Sequence, residues 1–339
     1  MSAGADQPRR VVFRTRGNHR QGMGDLHGCL AMAREFQSRG SEVSFLAEPD
    51  PEAVAFCRDA DIGLIAADGT RADAEALGRL SPDCLIVNML KSDADYLSAL
   101  LTHAGLLVTV DDDGPAAPLA DLRINPLYPI PNSLTDPAFV PLKDAFQRLH
   151  DAPRDLRQPV RRLLVTLGGS DTFGFTPLAV RAMAGLPPEV HVEIVVGPAF
   201  THQTQLEAAL RTLAGHRCET AGNVCDMPDR ILRADLAVCA GGLTLFEMAC
   251  LGTPAVVICG EPFEEQTAAA LAARGFGIDL GYGGDCIETD VAEAVASLID
   301  DPNARERMGV RGRELVDGRG AHRCVEAVID AWRAKGTPR

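Results

Sequence analysis

Three glycine-containing turns could bind an anion. Residues 22–28 read Gly-Met-Gly-Asp-Leu-His-Gly, residues 168–171 read Gly-Gly-Ser-Asp, and residues 240–247 read Ala-Gly-Gly-Leu-Thr-Leu-Phe-Glu. Each turn follows an apolar run and precedes a segment with helical spacing, so each should present unpaired backbone N–H groups at a helix N-terminus. The partial positive charge there favours phosphate. Because the turns are divided between the two halves of the chain, they predict a cleft that holds a diphosphate.

The elements that position these turns alternate between short apolar runs and helical segments, which is typical of parallel strands joined by crossover helices. In the first half the pattern predicts a helix over 26–39 and strands at 10–14, 42–46, 63–65, 84–88, 106–110 and 122–125. In the second half it predicts strands at 162–167, 191–196, 217–220, 236–239 and 255–259. Further helices are predicted at 176–184, 203–213, 227–233, 243–251, 265–274, 290–299, 302–315 and 321–335.

A proline-rich segment over 126–141 and a polar segment over 151–159 separate the two series of elements. A chain of 339 residues is long for one domain, and it suits two domains of about 150 to 180 residues each. We therefore expect an α/β fold with two Rossmann-like domains that face each other across a cleft. The first domain is predicted to cover 1–150 and the second to cover 151–339.

Composition limits the partners that the protein can have. The formal net charge of -14 argues against nucleic acid and against an anionic membrane surface, since both require a basic surface. The ten cysteines are scattered without zinc-ligand spacing and many lie in apolar runs, which indicates a reducing, cytoplasmic environment. The N-terminal residues lack an apolar signal core, and no apolar run reaches membrane-spanning length.

The turns, in their order and spacing, resemble the GT-B nucleotide-sugar enzymes. The resemblance is strongest to spore-coat polysaccharide glycosyltransferase-like proteins and to the UDP-sugar hydrolase of the pseudaminic-acid pathway, and weaker to the peptidoglycan GlcNAc transferase. It covers nearly the whole chain. It is carried by residues 13–14, 22–24, 110–114, 124–126, 167–171, 234–254, 265–266 and 316–323. It implies the GT-B fold, with the last helix packing back toward the first domain.

The resemblance also implies the nucleotide-sugar site. Val224 and Met227 would contact the base, and Glu247 would accept hydrogen bonds from the ribose hydroxyls, although an acidic residue there also favours the helix dipole. Glu265 and Gln266 would bind the sugar, with an ordinary exposed helix start as the alternative. The diphosphate and its surroundings would be contacted by Arg14, Gly22, Gly24, Gly169, Ser170, Gly242, Leu243 and Thr244. Helix ends stabilise the departing phosphate in such sites, so we expect no metal and no cofactor, and the Asp-x-Asp spelling at 111–113 is interpreted as a structural loop.

One departure from the family concerns the catalytic base. Many relatives have a histidine after the first Gly-x-Gly, where this chain has Asp25. Asp25 is the predicted general base, with a pKa lowered by the helix N-terminus, and the alternative is that it only caps the helix. His27 is the competing base. Arg14, Arg16 and Arg20 with His19 form a local basic cluster. It holds a carboxylate or phosphate of the second substrate, or a diphosphate oxygen, or it is a solvated loop.

The predicted function is metal-independent transfer of a sugar from a UDP-type nucleotide sugar to a hydroxyl acceptor, in surface-glycan or flagellar-glycan biosynthesis. The first alternative is a UDP-sugar hydrolase of pseudaminic-type acid biosynthesis, which releases UDP and the free 2,4-diacetamido sugar. The second is a non-catalytic nucleotide-sugar-binding partner. The sequence does not determine the sugar, the acceptor, the nucleobase, the stereochemical outcome or the oligomeric state.

Overall fold

The computed structural model describes residues 6–16, 24–127, 130–169 and 171–336. The chain divides into two compact units, the first formed by Met1–Lys143 with Arg319–Arg339 and the second by Asp144–Gly318. The sequence predicts a boundary at 150/151 and a last helix that packs back toward the first domain. In the structure the chain passes from the first unit to the second after Lys143, and Arg319–Arg339 return to the first unit. Among the described residues, no helix is long and apolar enough to cross a membrane.

The first unit contains a six-stranded parallel sheet with the order β3-β2-β1-β4-β5-β6. Its strands are β1 Arg10–Arg14, β2 Glu42–Ala47, β3 Gly63–Ala66, β4 Cys84–Asn88, β5 Leu106–Val110 and β6 Leu122–Ile124. Its helices are α1 Gly24–Ser38, α2 Pro51–Asp59, α3 Thr70–Leu80, α4 Ala94–Leu101 and the C-terminal α13 Gly320–Lys335.

Helix α13 completes the core of this unit. Trp332 is buried with Phe13, Phe36 and Phe45 in one hydrophobic cluster, and complete burial of a large apolar side chain stabilises a fold by about 1.5–3 kcal/mol. The start of the helix requires a glycine, because a Cβ on Gly320 would lie 1.9 Å from the carbonyl oxygen of Val140. The C-terminal segment is therefore built into the first unit.

The second unit contains another six-stranded parallel sheet, with the order β12-β11-β10-β7-β8-β9. Its strands are β7 Arg162–Thr166, β8 His191–Val196, β9 Cys218–Gly222, β10 Leu236–Cys239, β11 Ala255–Cys259 and β12 Ile278–Tyr282. Its helices are α5 Asp144–Leu149, α6 Thr176–Ala182, α7 Gln203–Leu210, α8 Met227–Arg233, α9 Leu243–Leu251, α10 Pro262–Ala273, α11 Glu288–Asp300 and α12 Pro302–Leu315.

The predicted α/β class and the two doubly wound sheets are confirmed. Each sheet reverses its strand order at one place, between β1 and β4 in the first unit and between β7 and β10 in the second. In open α/β sheets, ligands bind in the crevice outside the carboxyl ends of the strands at this reversal. The glycine turns at 168–169 and 241–242 directly follow β7 and β10, so two of the predicted turns lie where the topology favours a ligand.

Candidate functional site

The turn after β10 leaves a helix N-terminus open. Gly242 precedes α9, and no side chain caps the first turn of this helix. A side chain on Gly241 is excluded by the backbone, because its Cβ would lie 2.9 Å from the carbonyl oxygen of Glu264. A Cβ on Gly242 would lie 2.9 Å from Oε1 of Glu264, so it requires only that this carboxylate move. Leu243, Thr244 and Glu247 on the first turns of α9 are half-buried. The backbone N–H groups at the start of α9 form a site for an anion.

Glu264 on α10 supports this turn from the side. Its Oε2 accepts hydrogen bonds from the N–H groups of Gly260 at 2.7 Å and Glu261 at 3.3 Å. Burial raises the pKa of Glu264, and these N–H groups oppose the effect. Glu265 and Gln266, the neighbours that the sequence analysis singled out, are exposed on the same helix. Sequence reasoning missed Glu264, and its only signal was an acidic residue three positions after Glu261 at a helix start.

The turn after β7 differs from the turn after β10. Asp171 has a positive φ of 41°, and its carboxylate accepts hydrogen bonds from the N–H groups of Phe175 at 2.9 Å and Thr176 at 2.8 Å. The expectation of unpaired N–H groups at the start of α6 is therefore wrong, because Asp171 already occupies them. The exposed Gly169 lies in the turn itself, and Ser170 lies outside the described residues.

The predicted base-binding residues lie after β9. Val224 and Met227 are both half-buried, at the end of a strand separated from β7 by β8. Their loop is fixed by Arg230, whose Nε donates to Asp226 Oδ1 at 2.7 Å and whose Nη1 pairs with Glu193. The loop thus has a fixed backbone and presents two apolar side chains.

Three aromatic residues stand at the same edge of the second sheet and were missed in the sequence. The rings of Phe173 and Phe175 stack with centroids 5.9 Å apart, and Tyr282 meets Phe175 edge-on at 5.9 Å. Phe173 is 46% exposed, and a Cβ on Gly260 would lie 3.6 Å from its ring. An exposed aromatic surface therefore adjoins the Glu264 loop. A lone Phe in a turn carries no signal of this kind in sequence.

In the first unit, Asp25 lies at the carboxyl end of the sheet. Helix α1 begins at Gly24, so Asp25 is its second residue and not its N-cap. Gly22 lies outside the described residues. Burial raises the pKa of Asp25 to about 6, although the charge of Arg16 opposes the effect. The expected lowering of this pKa by the helix N-terminus is wrong, because desolvation of the carboxylate outweighs the helix dipole.

Asp111, which follows β5, is a second carboxyl group near Asp25. Burial raises the pKa of Asp111 to about 8, the N–H of Leu127 opposes the effect, and the charge of Asp25 adds to it. At pH 7, therefore, Asp25 is ionised and Asp111 is protonated. The neighbouring Asp112 has a structural role, since its Oδ1 accepts hydrogen bonds from the N–H groups of Ser92 and Gly114.

His27 has a different environment from Asp25. Its ring meets Phe56 of α2 edge-on with centroids 4.9 Å apart. Burial, with a smaller contribution from the charge of Lys143, lowers the pKa of His27 to about 4, so the ring is neutral at pH 7. Its Nδ1 is buried without a hydrogen-bond partner. The ring packs against α2 as a neutral group.

Arg14 is buried among partners of its own unit. Its Nε donates to Asp73 Oδ2 at 2.7 Å and to Tyr96 at 3.1 Å, and its Nη1 donates to the carbonyl of Thr15 at 2.8 Å. Tyr96 donates in turn to Asp73 at 2.7 Å. These bonds occupy much of the guanidinium, so Arg14 fixes the end of β1. The described residues contain no group of three His, Cys, Asp or Glu side chains arranged to hold a metal ion.

Comparison with known proteins shows what this chain is similar to. Residues 163–314 match the Glycosyltransferase family 28 C-terminal domain. The spore coat polysaccharide biosynthesis protein SpsG of Bacillus subtilis is 26% identical over 265 residues, which cover 74% of this chain and 77% of that protein. The UDP-N-acetylglucosamine–N-acetylmuramyl-(pentapeptide) pyrophosphoryl-undecaprenol N-acetylglucosamine transferase of Azotobacter vinelandii is 26% identical over 349 residues, covering 91% and 96% of the two chains. MurG of Acinetobacter baumannii shares the fold, with a TM-score of 0.70 at 16% identity over 95% of this chain and 99% of that one.

The chain has the GT-B fold, and its second unit resembles a family 28 glycosyltransferase domain. The matched region begins in β7 and ends in α12. It therefore includes the open start of α9, the Glu264 loop and the aromatic cluster. The carboxyl groups of Asp25 and Asp111 belong to the first unit and lie outside the matched region.

Proposed function

We propose that this protein is a glycosyltransferase that transfers a sugar from a UDP-type nucleotide sugar to a hydroxyl acceptor, without a metal ion, in the synthesis of a surface polysaccharide. The observation that carries the proposal is the uncapped N-terminus of α9 at the strand-order reversal of a family 28 domain. Two relatives support the donor and the setting, since one is a UDP-N-acetylglucosamine-dependent transferase and the other acts in spore coat polysaccharide biosynthesis.

The donor site is assigned to the second unit. The N–H groups at Gly242, Leu243 and Thr244 bind the diphosphate, together with the turn at 168–170. Glu247 accepts hydrogen bonds from the ribose diol, because a carboxylate offers two acceptor oxygens. Val224 and Met227 cover the base, and Glu265 and Gln266 bind the sugar hydroxyls. As the anomeric C–O bond breaks, negative charge develops on the diphosphate, and the fixed dipoles at the start of α9 stabilise it.

Asp25 is the proposed general base. It accepts the proton of the acceptor hydroxyl while the hydroxyl oxygen forms the new bond to the anomeric carbon. A pKa of about 6 leaves the carboxylate roughly nine-tenths ionised at pH 7, and it makes Asp25 a stronger base than an exposed aspartate. Arg16 keeps the group from being fully neutralised by burial. His27, neutral and packed on Phe56, is assigned a structural role.

Nucleotide binding tests the donor assignment. Thermal-shift titration with UDP, dTDP, CDP and GDP should select UDP, since a ligand at one hundred times its dissociation constant adds about 2.7 kcal/mol of stability. Gly242→Asp should abolish the UDP shift by placing a negative charge at the start of α9. Gly185→Asp is the matched control, because a Cβ there meets nothing within 4 Å. An equal UDP shift in both variants would refute the assignment of the diphosphate to the start of α9.

Product analysis separates the alternatives. With an acceptor mixture, the transferase should release UDP and form a glycoside, and Asp25→Asn should lose turnover while it retains UDP binding. Release of UDP with free sugar at the same rate in the absence of acceptor would identify a hydrolase instead. Full biological complementation by Asp25→Asn would indicate a non-catalytic binding partner.

A further inference from the structure

A cavity of about 380 Å³ lies within the first unit. It is lined by Arg14 and Arg16 at the end of β1, by Gly69 and Thr70 at the start of α3, and by Lys91 and Ser92 after β4. These elements surround the carboxyl end of the sheet next to the reversal between β1 and β4. The proposed donor site uses none of these residues.

The Ser92 hydroxyl and the backbone N–H groups at the start of α3 are hydrogen-bond donors of this cavity. Ser92 is 1% exposed, and its Oγ has no hydrogen-bond partner. A buried hydroxyl without a partner is unfavourable and uncommon in folded proteins. No side chain caps the first turn of α3, where Gly69 adopts a φ of 90°. The Ser92 turn is rigid, because Asp112 accepts its N–H at 3.0 Å. A ligand oxygen could satisfy both donors.

The cations of the cavity differ in how far they are already paired. Arg14 is bound to Asp73 and Tyr96, and it also forms a longer ion pair with Asp68 at 3.8 Å. Lys91 makes no ion pair with any residue that the structure describes. The charge of Arg16 acts on Asp25, so Arg16 connects the cavity with the proposed base. Three carboxylates also line the cavity: Glu48, Asp68 and Asp93. Asp93 is engaged in capping α4 through the N–H of Tyr96 at 2.7 Å.

This mixture of groups matches a sugar that carries one anionic substituent. Lys91, Arg16, the start of α3 and the Ser92 hydroxyl offer donors to a carboxylate or phosphate. Glu48 and Asp68 offer acceptors to sugar hydroxyls. A neutral apolar acceptor would leave the Ser92 hydroxyl and the cations unsatisfied.

We propose that this cavity binds the acceptor through a carboxylate or phosphate group on an acceptor sugar, so that Arg16 and Lys91 hold the anion while a hydroxyl of the same sugar reaches Asp25. The assignment of the ligand as an acceptor rests on the proposed transferase function. The existence of the binding site does not rest on that function, because all the residues of the site belong to the first unit.

Isothermal titration of the full chain at saturating UDP tests the proposal with glucuronate, glucose 6-phosphate and glucose. At least one of the two anions should bind ten or more times more tightly than glucose. Preference for glucuronate assigns a carboxylate, and preference for glucose 6-phosphate assigns a phosphate. Equal affinity for all three sugars would overturn the proposal.

Two variants and a control locate the binding. Lys91→Ala should weaken the preferred anion about tenfold, and Ser92→Ala should weaken it about threefold without loss of thermal stability, since it removes an unpaired buried hydroxyl. Lys335→Ala is the control, because Lys335 on α13 pairs with Asp121 and does not line the cavity. Unchanged affinity in both cavity variants would refute the site.

The UDP thermal shift separates this outcome from failure of the proposed function. It should be the same in Lys91→Ala as in the wild type. Loss of the UDP shift in the wild type, with Lys91-dependent anion binding intact, would refute the donor assignment and leave the cavity site standing.

Discussion

Replacement of Asp25 by asparagine should stabilise the protein while it abolishes turnover. The ionised carboxylate is held in a buried position that raises its pKa from 3.8 to about 6. A difference of this size corresponds to roughly 3 kcal/mol between the two protonation states. Because the group is coupled to Arg16 and the amide still needs partners, we expect a gain of about 1–3 kcal/mol in the free energy of unfolding at pH 7.

The stability gained by Asp25→Asn should depend on pH. A carboxyl group whose folded pKa is raised contributes stability below its unfolded pKa, and this contribution is lost as the pH rises through the folded value. The advantage of Asp25→Asn should therefore be full at pH 7, decline between pH 6 and pH 4, and vanish at pH 3.5. Calorimetric scans at these pH values, with UDP-release assays on the same samples, measure both effects.

An exposed aspartate on α4 provides the control. Asp95 occupies the first turn of α4 and is exposed, so Asp95→Asn should change stability by only a few tenths of a kcal/mol through the helix dipole. If Asp25 served only to cap its helix, Asp25→Asn would lower the stability at pH 7 and leave turnover intact. A loss of about 1 kcal/mol with normal activity would refute the reasoning.

Three further predictions follow from individual contacts. The kcat/KM of the wild type should fall on the acid side of a pKa near 6, as Asp25 is protonated, and a pH–rate profile that stays flat down to pH 5 would exclude this base. Asp171→Ala should lower the melting temperature by an amount that corresponds to about 1–2 kcal/mol, because it frees the N–H groups of Phe175 and Thr176, whereas Asp171→Asn should retain most of the cap. Gly320→Ala should cost about 2 kcal/mol or more, because its Cβ would overlap the carbonyl of Val140, and near-normal unfolding in urea would contradict the close packing of α13.

Most of the fold could be predicted because the strands of a covered parallel sheet are apolar throughout. Strands such as β4 and β11 are buried at every position, so each is a continuous apolar run in the sequence. Among the strands the exception is β12, Ile278–Tyr282, which was not predicted. It is half-buried at every position and contains Gly281 at a positive φ, so it lacks both an apolar run and regular alternation.

The site was predictable only where it depends on the backbone. The glycine turn before α9 follows from sequence, since Gly-Gly between an apolar run and a helix is a local pattern. The pKa values of Asp25 and Asp111 are not local properties. They arise because the ends of β1 and β5 and the start of α1 come together in a buried place, and no spacing in the sequence reveals how much water remains there. Ser92 was missed for the same reason.

The difference between the starts of α6 and α9 bears directly on where a diphosphate can bind. In sequence the two turns look equivalent, since each pairs two glycines with a following helix. In the structure Asp171 fills the start of α6 with its own carboxylate, and an anion there would meet negative charge as well as occupied N–H groups. At α9 the carboxylate of Glu264 also reaches the turn, where it accepts the N–H of Gly241 as well as those of Gly260 and Glu261, but no side chain caps the first helical turn. The uncapped helix start thus favours α9 over α6 for the proposed diphosphate contact and leaves the Gly168–Gly169 turn a secondary one.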